Sequence, residues 1–185
     1  FLYKLAGPTA PSPTVLSLSS SSAAGQDRFG AAVSVRDESG SGVLVAVGAP
    51  LGGTDRAGIV TIFKGDGSVH ATLGDQAPAE ARFGRSLAWL SDGLVVGAPG
   101  PEASTTLVSK PGAVHGFSWP EGEGAKLRWI LRSWPPRKLD RFGAALGVAP
   151  KQSLDKVLVA VGAPGFDGGQ GRALTFAPMT AAEHG

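Results

Sequence analysis

One pattern of apolar and polar positions occurs three times along the chain. Each occurrence starts with a run of consecutive apolar residues, which is typical of a strand buried on both faces. Each run ends in Gly-Ala-Pro, and proline has no N–H to donate to a sheet, so the strands are predicted to end there. After a loop, a glycine leads into an alternating strand. The apolar runs end at Pro50, Pro99 and Pro164, and the alternating strands span residues 58–63, 112–117 and 171–176.

A second motif precedes each apolar run. Arg-Phe-Gly occurs at residues 28–30, 82–84 and 141–143, so the Phe-Gly pairs are 54 and 59 residues apart (83 minus 29 and 142 minus 83). In the first repeat a Lys-Gly-Asp-Gly turn then leads into a polar outer strand at residues 68–73. Four short antiparallel strands per repeat are predicted, which is the arrangement of a β-propeller blade.

The spacing of the motifs divides the chain into four segments. Residues 1–26 are predicted to hold the outer strands of a preceding blade and a linker, while residues 27–80 and 81–139 are each predicted to form one blade. Residues 140–185 are predicted to form a blade without its outer strand, followed by a tail. The predicted fold class is therefore all-β, with about three and a half blades.

Composition supports many short strands. Glycine and proline make up 28 and 14 of the 185 residues, and such frequent turn residues favour short strands over long helices. The chain contains no cysteine, which excludes disulfides, thiolate zinc sites and a cysteine nucleophile. It also contains no asparagine, which excludes N-glycosylation, and no apolar run approaches the length of a transmembrane helix.

The order Phe-Gly, Gly-Ala-Pro, Gly-x-Val-x-x-Phe resembles the FG-GAP repeat over residues 27–176. This repeat builds the seven-bladed propellers of integrin α subunits and the C-terminal propeller of glycosylphosphatidylinositol-specific phospholipase D. The resemblance implies that the chain is about half of a seven-bladed propeller. The other blades would come from an upstream segment or from a separate chain. It implies structural roles for Phe29, Gly30, Gly48, Ala49, Pro50, Phe83, Gly84, Gly97, Ala98, Pro99, Phe142, Gly143, Gly162, Ala163 and Pro164.

The resemblance also directs attention to a calcium loop. In the family this loop reads Asp-x-Asp-x-Asp-Gly, because calcium needs several oxygen ligands within one tight turn. The first repeat has only a degenerate version, and Val45 stands where the closing aspartate is expected. We expect no cofactor and no tight calcium site, and calcium is the one metal left open. The degenerate loop consists of Asp37, Glu38, Ser39 and Ser41.

No catalytic residues are predicted. The three histidines, His70, His115 and His184, have no metal-ligand spacing, and the chain has neither a Gly-x-Ser-x-Gly elbow nor a phosphate-binding loop. In the phospholipase that the chain resembles, the metal-dependent chemistry belongs to a separate N-terminal domain. We therefore expect that this chain is not itself an enzyme.

Positive charge is concentrated in one window. Residues 126–141 carry six basic residues and one aspartate, a sum of +5, whereas the whole chain has a net charge of +2 and the remainder is −3. Because that remainder is acidic, a nucleic-acid partner is not expected. Tryptophan and arginine are favoured anchors of interfaces, so a patch for an acidic protein or lipid headgroups is one interpretation. The candidate residues are Arg132, Trp134, Arg137, Lys138 and Arg141.

The other interpretation of this window is an outer strand with its charges directed outward. Alternation predicts that one face of residues 127–132 carries Leu127, Trp129 and Leu131, and the other Arg128, Ile130 and Arg132. In a propeller, the loops after the second strands and the loops between blades lie on one face. The integrin resemblance implies that this face binds partners, which adds Asp55, Arg56 and Asp167 to the candidates.

Three functions are consistent with these observations. The first is a non-catalytic protein-interaction or adhesion module, extracellular, lumenal or peripheral to a membrane, whose protein partner is the remaining blades. The second is the propeller half of a phospholipase D-like enzyme whose catalytic domain lies outside this chain. The third is a structural subunit of a large assembly.

Overall fold

The computed structural model describes residues 15–19, 25–38, 42–74, 77–101, 111–119, 124–135, 137, 139–149, 153–154 and 156–177. In these residues the protein is all-β, with three antiparallel sheets and little helix, which confirms the predicted all-β class, while the number of blades stays a prediction. None of the helices in these residues is long and apolar enough to cross a membrane.

Each sheet is built from strands that follow one another in the chain. Sheet 1 has four strands, β1 (Ala32–Glu38), β2 (Gly42–Ala49), β3 (Ile59–Lys64) and β4 (Val69–Leu73). Sheet 2 also has four, β5 (Ser86–Trp89), β6 (Gly93–Ala98), β7 (Ala113–Ser118) and β8 (Lys126–Arg132). Sheet 3 has three in the described residues, β9 (Ala145–Val148), β10 (Val159–Ala163) and β11 (Arg172–Phe176). The described residues also form two short helical turns, Thr54–Arg56 and Phe166–Gly169.

The Phe-Gly and Gly-Ala-Pro motifs meet within each sheet. The second strand of every sheet ends at the alanine before the motif proline, as predicted. The N–H of the Phe-Gly glycine donates to the carbonyl of the Gly-Ala-Pro glycine, at 3.0 Å in sheet 1 and 3.1 Å in sheets 2 and 3. The motif phenylalanine packs edge-on against the phenylalanine near or at the end of the third strand. These pairs are Phe29–Phe63, Phe83–Phe117 and Phe142–Phe176, with ring centroids 6.0, 5.9 and 5.6 Å apart.

The three sheets pack face to face in chain order, and their first strands β1, β5 and β9 are neighbours. One apolar core lies between sheets 1 and 2 and includes Ile62, Phe83 and Leu94. A second lies between sheets 2 and 3 and includes Val95 and Phe142. Sheet 2 is therefore covered on both faces.

Side chains of the first strands add specific contacts between sheets 1 and 2. The indole Nε1 of Trp89 donates to the carbonyl of Ser34 at 3.0 Å. The guanidinium of Arg36 lies 4.5 Å from the centre of the Trp89 ring. These contacts fix β5 against β1.

A bulge in β8 changes the predicted faces of that strand. Leu127 pairs with Phe117, whereas Trp129 pairs with the preceding residue, Gly116, so one extra residue, Arg128, lies between the two pairs. Leu127 consequently lies on the face toward sheet 1, with Ile130. Trp129 packs against the core shared with sheet 3. The prediction that Leu127 and Trp129 share a face is wrong, because the bulge inverts the alternation at that point.

The described part of the predicted preceding blade is residues 15–19 and 25–26. Leu16 forms a single β-bridge rather than a strand. Leu18 packs on the outer face of sheet 1, beside Val45 and Phe63. The remainder of residues 1–26, and the tail from residue 178, lie outside the described residues.

Candidate interaction surface

The segment between β8 and β9 carries several of the predicted partner-binding residues. Its Trp134 side chain is 83% exposed. At the base of the segment the carboxylate of Asp140 is buried, where it accepts hydrogen bonds from the Ser133 hydroxyl and, at 3.0 Å, from the N–H of Phe142. These hydrogen bonds join the two ends of the segment, so Trp134 is held outward by a buried polar contact.

Arg137 of this segment contacts the loop after β10. Its guanidinium forms a salt bridge of 3.2 Å with Asp167, and both side chains are about half exposed. The same guanidinium lies 4.8 Å from the centre of the Phe166 ring, and that of Arg172 lies 4.0 Å from it. Cation–π contacts of this kind hold a cation against an aromatic face. The structure thus unites two predicted residues, Arg137 and Asp167.

The sequence reasoning missed Phe166, Arg172 and Asp140. Phe166 could have been noticed as an aromatic residue in a loop otherwise made of glycines and polar residues. Arg172 takes a position at the start of the third strand where the other repeats have Ile59 and Ala113. Among the described residues in these contacts, Arg137, Arg172 and Asp167 together carry one net positive charge.

The other predicted partner residues lie elsewhere or outside the described part. Asp55 and Arg56 are exposed in the loop of sheet 1, where the Asp55 carbonyl accepts the N–H of Glu80 at 2.8 Å. Arg132 lies in the groove between sheets 1 and 2. Arg141 precedes the third Phe-Gly pair with a left-handed φ of 55°, the same value as the equivalent Arg28 and Arg82. Lys138 lies outside the described residues.

The degenerate calcium loop is only partly described. Asp37 and Glu38 end β1, opposite Val43 and Gly42, while Ser39 and Ser41 lie outside the described residues. In the described part of the chain, no group of three or more histidine, cysteine, aspartate or glutamate side chains could hold a metal ion. The expectation of no tight calcium site stays a prediction.

The histidines lie in separate surroundings. His70 Nε2 accepts a hydrogen bond of 3.3 Å from the Trp119 indole. His115 lies near the rings of Phe83 and Phe117, with centroids 5.5 and 6.5 Å away. His184 lies outside the described residues. The expectation that this chain has no catalytic site also stays a prediction.

The motif glycines form the contacts between neighbouring sheets. A Cβ atom on Gly48 would overlap the carbonyl oxygen of Gly84, and one on Gly97 would overlap that of Gly143. A Cβ atom on Gly58 or Gly112 would likewise overlap the carbonyl of the next repeat's phenylalanine. Glycine is therefore needed where the backbone of the next Phe-Gly pair approaches.

The outer faces of sheets 1 and 3 lack this contact in the described residues. At Gly162, the equivalent of Gly48 and Gly97, the nearest atom to a Cβ would be the Ala145 Cβ, 3.2 Å away within the same sheet. At Gly30, which is equivalent to Gly84 and Gly143, no atom would lie within 4 Å. On the same outer face of sheet 1, Val33 and Val35 are 57% and 55% exposed.

Comparison with known proteins found no similar family or protein. No protein-family model matches the sequence, and no curated protein matches it. The resemblance to the FG-GAP repeat therefore stays a prediction that depends on the three motifs and on their spacing.

Proposed function

We propose that this chain is a non-catalytic part of an FG-GAP-type β-propeller and acts as an extracellular or lumenal interaction module. Support comes from the arrangement of the sheets. Their first strands are neighbours, whereas an open groove separates β4 of sheet 1 from β8 of sheet 2. Sheets that are close at their first strands and apart at their fourth strands radiate like propeller blades.

The observation that carries the proposal concerns Gly30 and Gly162, because no described residue of a neighbouring repeat lies against either glycine. Inside the chain, each such glycine contacts the backbone of a neighbouring repeat. The outer face of sheet 3 presents the surface on which a Phe-Gly pair rests, and the outer face of sheet 1 presents a Phe-Gly pair. These two faces would therefore bind further repeats of the same kind, which are the first partner that we propose for the chain.

The Trp134 segment is the second contact surface of the proposed module. An exposed tryptophan beside arginines is a favoured anchor for a protein partner. The net positive charge around Phe166 favours an acidic partner.

A second copy of the chain can serve as the probe for added repeats. The two outer faces are complementary but different, so contact between copies would be head-to-tail. We expect sedimentation equilibrium to show concentration-dependent association. Gly162→Val should block the face of sheet 3, and the double variant Val33→Lys/Val35→Lys should block the face of sheet 1. Each variant alone should associate less than the unaltered chain.

Mixing the two variants is the matched control. Gly162→Val retains an intact sheet 1 face, and Val33→Lys/Val35→Lys retains an intact sheet 3 face, so the mixture should form a heterodimer that grows no further. Circular dichroism would verify that each variant is folded. A chain that is cooperatively folded and monomeric at about 100 µM, a concentration at which contacts with a free energy of about −5.5 kcal/mol would be detected, would contradict the proposal.

A further inference from the structure

A large groove separates the outer parts of sheets 1 and 2. It has a volume of ≈ 1100 Å³ and lies between β4 on one side and β7 and β8 on the other. Small-molecule sites in proteins are concave, mostly apolar and about 300–1,000 Å³ in size. The groove is therefore large enough for a ligand with a long apolar chain.

The walls of the groove are mostly apolar. Phe83 and Phe117 lie on the side of sheet 2, and Leu73 lies on the side of sheet 1. Leu127 and Ile130 are large, exposed apolar side chains of β8 that line the same space. The bulge in β8 is what brings Leu127 to this face. Water in this groove would contact apolar surface that a hydrocarbon chain could cover.

Two polar side chains interrupt the apolar lining, His115 of β7 and Arg132 of β8. The buried Nδ1 of His115 has no hydrogen-bond partner in the described residues. Burial, together with the charge of Arg132, lowers the pKa of His115 to about 4, so the ring is neutral at pH 7. Among the described residues that line the groove, Arg132 is then the one that is charged, and none of these residues is a carboxylate.

We propose that this groove binds an amphipathic monocarboxylate, with its hydrocarbon chain against Phe83 and Phe117 and its carboxylate at Arg132. A guanidinium matches a carboxylate in shape and charge, and this match favours an acid over a neutral apolar molecule. The proposal is independent of further repeats, because both walls belong to this chain.

Dodecanoate is the probe, and isothermal titration calorimetry on the full chain is the measurement. We expect saturable binding of one molecule per chain, at probe concentrations where the acid is monomeric. Arg132→Gln should weaken binding about tenfold or more, because hydrogen bonds to charged groups are the stronger ones. Arg128→Gln is the matched control. It removes the same charge from the same strand at a position outside the groove and should leave the affinity within about twofold of the unaltered chain.

Two further measurements separate the groove from other sites. Ala71→Trp on β4 should fill the groove and abolish binding, with the fold verified by circular dichroism. Dodecanol has the same chain without the charge and should bind at least about tenfold more weakly than dodecanoate. Absence of saturable dodecanoate binding, equal losses in Arg132→Gln and Arg128→Gln, unaltered binding by Ala71→Trp, or equal affinity for dodecanol would each overturn the proposal.

Discussion

Asp140 is a buried carboxylate that shapes an exposed surface. Its two hydrogen bonds, to the Ser133 hydroxyl and to the Phe142 N–H, close the base of the segment that carries Trp134. A buried hydrogen-bonded network has a large effect when one member is removed, because the remaining groups lose their partners in a medium of low dielectric constant. At the residue scale, Asp140 therefore determines how Trp134 is exposed, although the buried Asp140 side chain would not itself touch a bound protein.

Asp140→Ala is expected to lower the free energy of unfolding by about 2–4 kcal/mol, because it leaves a buried hydroxyl and a buried N–H without partners. Unfolding in urea would measure this loss of free energy. Ser133→Ala removes one hydrogen bond and should cost about 1 kcal/mol. Equal losses in the two variants would show that Asp140 has no special role.

His115 should make stability depend on pH. Its folded-state pKa of about 4 lies below the usual 6.5, so the unfolded chain binds a proton at a higher pH than the folded chain. Stability is therefore full above pH 6.5, falls as the pH falls from 6.5 toward 4, and loses nothing further from this group below 4. Urea unfolding at pH 7, 6, 5 and 4 should show the decline.

His115→Phe tests the assignment, because phenylalanine keeps the aromatic packing and cannot titrate. The decline between pH 6.5 and 4 should become smaller in this variant. His70→Gln is the control, since His70 is exposed and its removal should leave the decline in place. A decline that is the same in His115→Phe as in the unaltered chain would contradict the expectation. Among the described side chains that line the groove around His115, Arg132 is the charged one.

At the scale of the strand, equivalent glycines have different surroundings. A Cβ on Gly97 would overlap the backbone of the next repeat, whereas a Cβ on Gly162 would meet, among the described residues, the Ala145 side chain of its own sheet at 3.2 Å. A methyl group is thus excluded at Gly97, while at Gly162 it requires only a small shift of a side chain. The difference comes from the neighbouring sheet and not from the strand that contains the glycine.

Gly97→Ala should lower the free energy of unfolding by about 2 kcal/mol or more, because the methyl group would overlap the Gly143 carbonyl and the Ser86 hydroxyl. Gly162→Ala should change the free energy of unfolding by at most about 1 kcal/mol, because the 3.2 Å contact with Ala145 offsets the gain from replacing a glycine within a strand. Thermal unfolding of the two variants, measured side by side, would test this. Similar effects would mean that the two positions are packed alike.

The sequence predicted the strands better than their faces. Strand ends follow from local chemistry, so the prolines marked where β2, β6 and β10 stop. The bulge in β8 could not be predicted from alternation. One extra residue moves Leu127 to the opposite face from Trp129, and nothing in the types of amino acid indicates where that residue is inserted. The cluster at Phe166 was also missed, because Arg137 and Phe166 are far apart in sequence and meet through the packing of sheets 2 and 3.

At the scale of the whole molecule, the middle sheet is the most enclosed. All six residues of β6 in sheet 2 are buried, whereas burial in β10 of sheet 3 alternates along the strand. Strands covered on both faces open less often than strands with one exposed face. The three sheets are thus expected to differ in local stability even though their motifs are the same.

Hydrogen exchange should resolve this difference. In a dilute sample, amides of β6 are expected to exchange more slowly than those of β10, with mass spectrometry as the measurement. At high concentration, addition of a second copy to the outer face of sheet 3 should slow exchange in β10. Protection of β10 equal to that of β6 in the dilute sample would contradict the expectation.

The contact between the glycine of one repeat and the carbonyl of the next has a consequence for modularity. It is made by backbone atoms, which are the same in every repeat, so it gives no means of telling one repeat from another. The choice of which repeat packs beside which must come from side chains. Trp89 and Arg36 are an example, because they meet between sheets 1 and 2, and the equivalent positions between sheets 2 and 3 hold neither a tryptophan nor an arginine. Repeats could therefore be interchanged at their motif ends, with their order determined by covalent connection and by such side chains.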